Sequence, residues 1–105
     1  MTPPARVWQG RPGLKFDHIF HQFVIRVPNR DRVREGLISA GIGCAIYYPV
    51  PFHRQECFKS LNHDLNACPE ADQAAAETLA LPIFPELTAT EQTAVVEALV
   101  KELGR

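Results

Sequence analysis

The sequence predicts a small α+β domain, a sheet with helices packed on one side. Three observations carry this. "HIFHQFVIRV", residues 18–27, alternates with the period of a strand. "LTATEQTAVVEALVKELG", closing the chain, repeats at helical spacing. Between them, short strand-like and helix-like segments follow one another within a chain of 105 residues, enough for a single core that buries about 65% of the unfolded surface.

Residues 1–16 read as an extended arm, because "MTPPARVWQGRPGLK" contains three Pro and two Gly without an apolar period. In the strand at 18–27, Ile19, His21, Phe23, Ile25 and Val27 share the richer apolar face, which places His21 among core residues. "PNRD" turns the chain, and Asn29 or Asp31 supplies a helix cap. A helix over about 31–40 then sets Val33, Gly36, Leu37 and Ala40 on one side, with Gly41 as its C′ residue. "IGCAIYY", 42–48, reads as a second strand, with Ile42, Cys44, Ile46 and Tyr48 facing one way and Tyr47 the other.

That strand runs into "YYPVPFHRQ", where Pro49 and Pro51 fix the backbone and make a stiff loop. "FHRQECFKSLN" suits a short helix and "HDLNAC" a connection, and Pro69 fits the first turn of another helix. On that helix Ala71, Ala74, Ala75, Thr78 and Leu79 make a narrow face of small residues, suited to close approach to a sheet or a helix. "LPIFP", 81–85, is a short extended piece bracketed by prolines, at a sheet edge or outside it. The last helix opens with Thr88 and Glu91 at capping-box spacing and presents Val96, Leu99, Val100 and Leu103 on one face.

Composition excludes several function classes. Eleven Lys and Arg against twelve Asp and Glu leave a net charge of −1, without the basic field that gathers nucleic acid. No apolar run reaches the ~20 residues of a membrane helix, and the start lacks the pattern of a secretory signal. Three cysteines without a CxxC pair cannot all be bridged within one chain, which favours a reducing, cytoplasmic setting.

Candidate chemistry is sparse. His18 and His21, three apart on a strand, point to opposite faces and cannot grip one metal ion together. His53 and Cys57 share a helix face at i, i+4 but have no third ligand at a recognisable spacing, so no metal site is expected. Cys44 or Cys57 could act as a nucleophile with a His base, against the alternative of inert packing. No glycine pattern cradles phosphate. Lys15, Lys59 and Lys101 lie in an arm, a polar helix and a terminal helix, where nothing marks a buried, pKa-shifted amine.

"DHIFHQFVIRV", "GIGCAIYYPVPFHRQ" and "ETLALPIFPELT", in that order, resemble the C-terminal domain of the DegT/DnrJ/EryC1/StrS sugar aminotransferases. The likeness runs over about residues 17–103, through His18, Phe20, His21 and Phe23, then Gly41, Ile42, Gly43, Tyr48, Pro49, Pro51, His53 and Gln55, then Leu79, Leu81, Pro82, Pro85, Leu87 and Thr88. The resemblance implies that residues 17–105 form the small domain of a fold-type I enzyme dependent on pyridoxal phosphate (PLP), with a mostly antiparallel sheet. It implies amino transfer, commonly from glutamate, to a nucleotide-linked keto sugar, with His21, Tyr47, Tyr48 and His53 walling the substrate side. Tyr47 stands where the family usually has His, which bears on sugar specificity. The Schiff-base lysine and most cofactor contacts of such enzymes belong to a large N-terminal domain that nothing here matches. The chain is therefore expected to be a fragment that binds no PLP and is inactive alone, contributing contacts within a homodimer of the full enzyme. The alternative is a freestanding α+β binding module that kept the scaffold and lost catalysis.

Overall fold

The computed structural model describes residues 1–5, 10, 12–13 and 20–104. Two strands, β1 (Phe23–Arg26) and β2 (Thr78–Leu81), pair antiparallel with Phe23 opposite Leu81 and Ile25 opposite Leu79. Single-residue bridges widen this ribbon on both sides, Thr2 to Arg26 and Ala45 to Ala80. Among the described residues three helices accompany it: α1 (Arg30–Ser39), α2 (Pro69–Glu77) and α3 (Ala89–Glu102). Ile25 and Leu79 from the sheet, Val27 just after β1, Val33 and Leu37 from α1 and Leu99 from α3 form the buried core. A small α+β arrangement is thus what the alternation and the helical repeats build.

The chain ends of the helices are set by local chemistry. The left-handed Gly41 donates its N–H to the Ile38 carbonyl while the Ile42 N–H reaches the Leu37 carbonyl, and this pair of bonds closes α1. At α3 the Thr88 hydroxyl accepts from the Glu91 N–H and the Glu91 carboxylate accepts from the Thr88 N–H, the reciprocal box read from the sequence. The cap of α1 differs from expectation. Asn29 occupies the N-cap position in a left-handed conformation and makes no side-chain cap bond, so only its carbonyl enters the helix, accepting from Val33.

Other departures have identifiable causes. The first strand begins at Phe23, because Phe20 has φ 46°, which no extended strand can carry. His21 consequently lies exposed in a bend ahead of the strand, off the core face; His18 and Ile19 fall outside the described residues. Residues 42–48 do not form a strand. Ala45 exchanges both backbone bonds with Ala80, but the next such pair in this register sets Gly43 opposite Pro82, which has no N–H to give. Ile42, Cys44 and Ile46 still pack on the core, whereas Tyr48 points into solvent.

Downstream, α2 stops at Glu77, and Thr78 and Leu79 belong to β2 without an intervening loop. Leu79, completely buried opposite Ile25, gains more in the sheet than in another helical turn. Of "LPIFP" only Leu81 pairs; the rest runs outside the sheet. The segment 52–61 is two 3-10 turns, Phe52–Arg54 and Glu56–Leu61, split by the extended Gln55, so His53 and Cys57 do not share a helix face. On α3 the buried stripe is turned by about one residue relative to the sequence reading: Leu99 is buried with Ala98 and Leu103 beside it, while Val96 and Val100 are exposed.

Candidate functional site

The small-residue side of α2 contributes no buried residue to the core. Ala71, Ala74, Ala75 and Thr78 instead line a groove of about 270 Å³ whose other wall is Tyr47, Tyr48, Val50, Pro51, Phe52 and Gln55. Prolines 49 and 51 hold that wall extended where the chain leaves the Ala45 bridge. The Tyr47 and Tyr48 rings pack edge to face at 5.8 Å, and Phe52 lies on Phe58 at 4.5 Å.

A second cleft, of about 520 Å³, opens where β2 gives way to Pro82, Ile83 and Phe84. His21 and Tyr47 both line it, with Gln22, Gly43, Cys44 and Ala45. Two of the four sequence-predicted site residues therefore converge on one cavity although 26 positions separate them. Tyr47 also joins this cleft to the α2 groove, where Tyr48 sits. His53 lies apart, lining neither.

His53 is instead part of a polar cluster between the loop and α2. Its Nε2 lies 3.3 Å from Asp72 Oδ1, and its side chain is 12% exposed. The His63 Nε2 donates to the His53 carbonyl at 2.6 Å. Arg54 embraces the same carboxylate, Nε to Oδ1 at 2.5 Å and Nη2 to Oδ2 at 2.8 Å. Sequence reasoning missed Arg54 and Asp72 altogether; eighteen residues apart, they carry no periodic signal, and only folding makes them a pair.

The hydrogen bonds from Arg54, reinforced by its charge and that of His53, hold the Asp72 carboxyl below its ordinary range. A carboxyl depressed in this way stabilises the fold above the unfolded-state value and loses that contribution as pH falls through the lower, folded value. In a carbon-detected NMR titration Asp72 is expected to titrate below the ~3.9 of free Asp, and to return toward it in Arg54→Ala. A wild-type midpoint at the free value would refute the pairing in solution.

Cys44 is not an activated nucleophile. Burial pushes the Cys44 thiol up, against a smaller opposing effect of Arg34, so at neutral pH it is the thiol. Cys57 and Cys68 are exposed and free. Among the described residues no three His, Cys, Asp or Glu side chains are grouped to hold a metal ion, and no helix is long and apolar enough to cross a membrane.

Comparison with known proteins adds the larger context. A family model described as the DegT/DnrJ/EryC1/StrS aminotransferase family matches residues 4–100. The chain is 45% identical over 84 residues to a pleiotropic regulatory protein of Geobacillus stearothermophilus, covering 80% of this chain and 23% of that protein. It is 41% identical over 86 residues to a UDP-N-acetyl-3-dehydro-alpha-D-glucosamine 3-aminotransferase of Acidithiobacillus ferrooxidans, covering 82% and 22%. Among solved structures it is similar to S. venezuelae DesV in complex with a ketimine intermediate, with a TM-score of 0.79, 30% identity, and 85% and 24% covered. The chain spans less than a quarter of the length of these relatives.

Proposed function

Because the chain belongs to the DegT/DnrJ/EryC1/StrS aminotransferase family, we propose that it supplies the substrate-side wall of an enzyme that transfers an amino group, commonly from glutamate, to a nucleotide-linked keto sugar. The observation that carries this is the convergence of His21 and Tyr47 on one open cleft. An imidazole and a phenol there offer a donor and an acceptor to sugar hydroxyls and phosphate oxygens, and the neighbouring Tyr48 offers an aromatic face. Tyr47, standing where a His is usual, reaches the substrate with an oxygen rather than a ring nitrogen. His53 belongs to the wall through the loop it anchors.

The family is PLP-dependent, and the cofactor supplies the electron sink for amino transfer. The described residues of this chain do not fit it. Lys59 is 70% exposed and paired with Glu56 at 2.7 Å, and Lys101 stands exposed on α3; neither is desolvated as an imine-forming lysine needs to be. In this reading the cofactor is held by a large domain of the full enzyme, the chain alone neither binds it nor transaminates, and the assembly is a homodimer. Exposed Ile83, Phe84, Val96 and Val100 provide apolar surface for such contacts. Unbridged cysteines suit a cytoplasmic location.

The test replaces the matching C-terminal segment of the Acidithiobacillus ferrooxidans aminotransferase with this chain and follows amino transfer from glutamate. The chimera is expected to turn over while the isolated chain does not. His21→Ala and Tyr47→Phe are each expected to lower kcat/KM about tenfold or more at unchanged melting temperature. Unaltered kcat/KM in both variants would refute the substrate-side role of His21 and Tyr47, and a folded chimera without turnover would favour a freestanding binding module.

A further inference from the structure

We propose that Arg54 is the positioning residue of the Tyr47–Phe52 loop, and that it acts through Asp72 of α2. The inference rests on the reading above only for what the loop is used for; the clamp itself follows from geometry. Neither 3-10 turn that follows the loop contains a buried residue. Phe52 and Tyr48 are largely exposed and Val50 is about half exposed. Apolar burial, which fixes the sheet against α1 and α3, is therefore not what fixes this segment.

Polar bonds are. The guanidinium of Arg54 spans three acceptors: both Asp72 oxygens and, from Nη2 at 3.0 Å, the Leu65 carbonyl. One planar fork thus ties the end of the loop to α2 and to the connection that precedes α2. His53 lies against the same carboxylate, and His63 grips the His53 carbonyl. Asp72 belongs to the helix whose Ala71, Ala74 and Ala75 form the floor opposite Tyr47, Tyr48 and Phe52. Clamping Arg54 to Asp72 therefore sets the separation of the two walls of the groove, and with it the position of Tyr47 at the mouth of the neighbouring cleft. None of the clamp residues belongs to the core, so the loop and its turns form a local unit that opens without unfolding the sheet.

The test is amide hydrogen exchange on the chain by itself, read residue by residue. In the turn, the N–H groups of residues 54 and 55 bond the carbonyls of Pro51 and Phe52; at the end of β1 the Val27 N–H bonds Glu77, and in β2 the Ala80 N–H bonds Ala45. Arg54→Ala is expected to speed exchange at 54 and 55 about tenfold or more, with Val27 and Ala80 unchanged. Asp72→Asn, which keeps the shape and removes the charge, is expected to do the same, and near-UV dichroism from the Tyr47–Tyr48 pair should fall in both variants. Unchanged exchange at 54 and 55, or an equal rise at Val27 and Ala80, would overturn the proposal, the second by showing a merely global role. No substrate enters the measurement, so its failure is distinguishable from failure of the aminotransferase reading.

Discussion

Leu79→Ala is expected to lower the unfolding free energy by about 2–5 kcal/mol, the range for a fully enclosed leucine truncated to a methyl. Leu79 has no exposed surface, faces Ile25 across the ribbon, and is the one β2 residue completely enclosed by α1 and α3 packing on the sheet. A chain of this size has a total stability of roughly 5–15 kcal/mol, so the variant retains a fraction of it or none. Urea unfolding followed by far-UV dichroism should show the midpoint falling steeply or the cooperative transition disappearing. Val96→Ala is the matched control: 57% exposed on α3, it is expected to change stability by no more than about 0.5 kcal/mol. Equal effects of the two variants would mean that the sheet and helices do not enclose a core at Leu79.

The second large effect is expected at Arg30. Only 7% exposed, it is the buried charged residue among those described, and its Nη1 donates to the Thr78 carbonyl at 2.8 Å. That bond ties the first residue of α1 to the first residue of β2. The Nε contact to Asp31 at 2.7 Å engages a carboxylate that is 78% exposed and contributes little. Arg30→Met, which keeps the stem and loses the donor, is expected to cost about 1–3 kcal/mol because the Thr78 carbonyl is left unsatisfied. Arg30→Ala should cost more, since the packed stem is lost as well. Asp31→Ala should stay near zero. Melting temperatures of the three variants decide it: a larger drop for Asp31→Ala than for Arg30→Met would assign the role to the ion pair instead of the carbonyl bond.

How much of the site was legible follows from distance along the chain. His21, Tyr47, Tyr48 and His53 are singled out in the sequence by motif, but their mutual positions are not. The structure brings His21 and Tyr47 to one cleft, sets Tyr48 in the adjoining groove, and turns His53 to Asp72. The Arg54–Asp72 pair had no local signature, since an ion pair eighteen residues apart depends on how a loop and a helix dock. The exposure of Val96 and Val100 was hidden for a related reason. Helical spacing places Leu99 and its neighbours on a stripe, but the edge of that stripe depends on what α1 presents. Gly36 there leaves the space taken by the Glu102 carboxyl, which a Cβ at position 36 would meet at 2.2–2.6 Å.

What the sequence by itself determined were features settled within four or five residues: the capping box of Thr88 and Glu91, the closure of α1 at Gly41, the Pro69 start of α2, and the apolar face of Phe23, Ile25 and Val27. Each is a contest among bonds and side chains that are near neighbours in any conformation, so its outcome is written locally. Only the tertiary structure decided that Thr78–Leu81 is a strand, that 42–48 is held by Ala45 alone, and that the first strand starts after Phe20. Short apolar runs satisfy either period, and a strand exists only where a partner offers both donors and acceptors. β1 offers them to Thr78–Leu81 over four residues, whereas Pro82 withholds a donor from the segment on the other side.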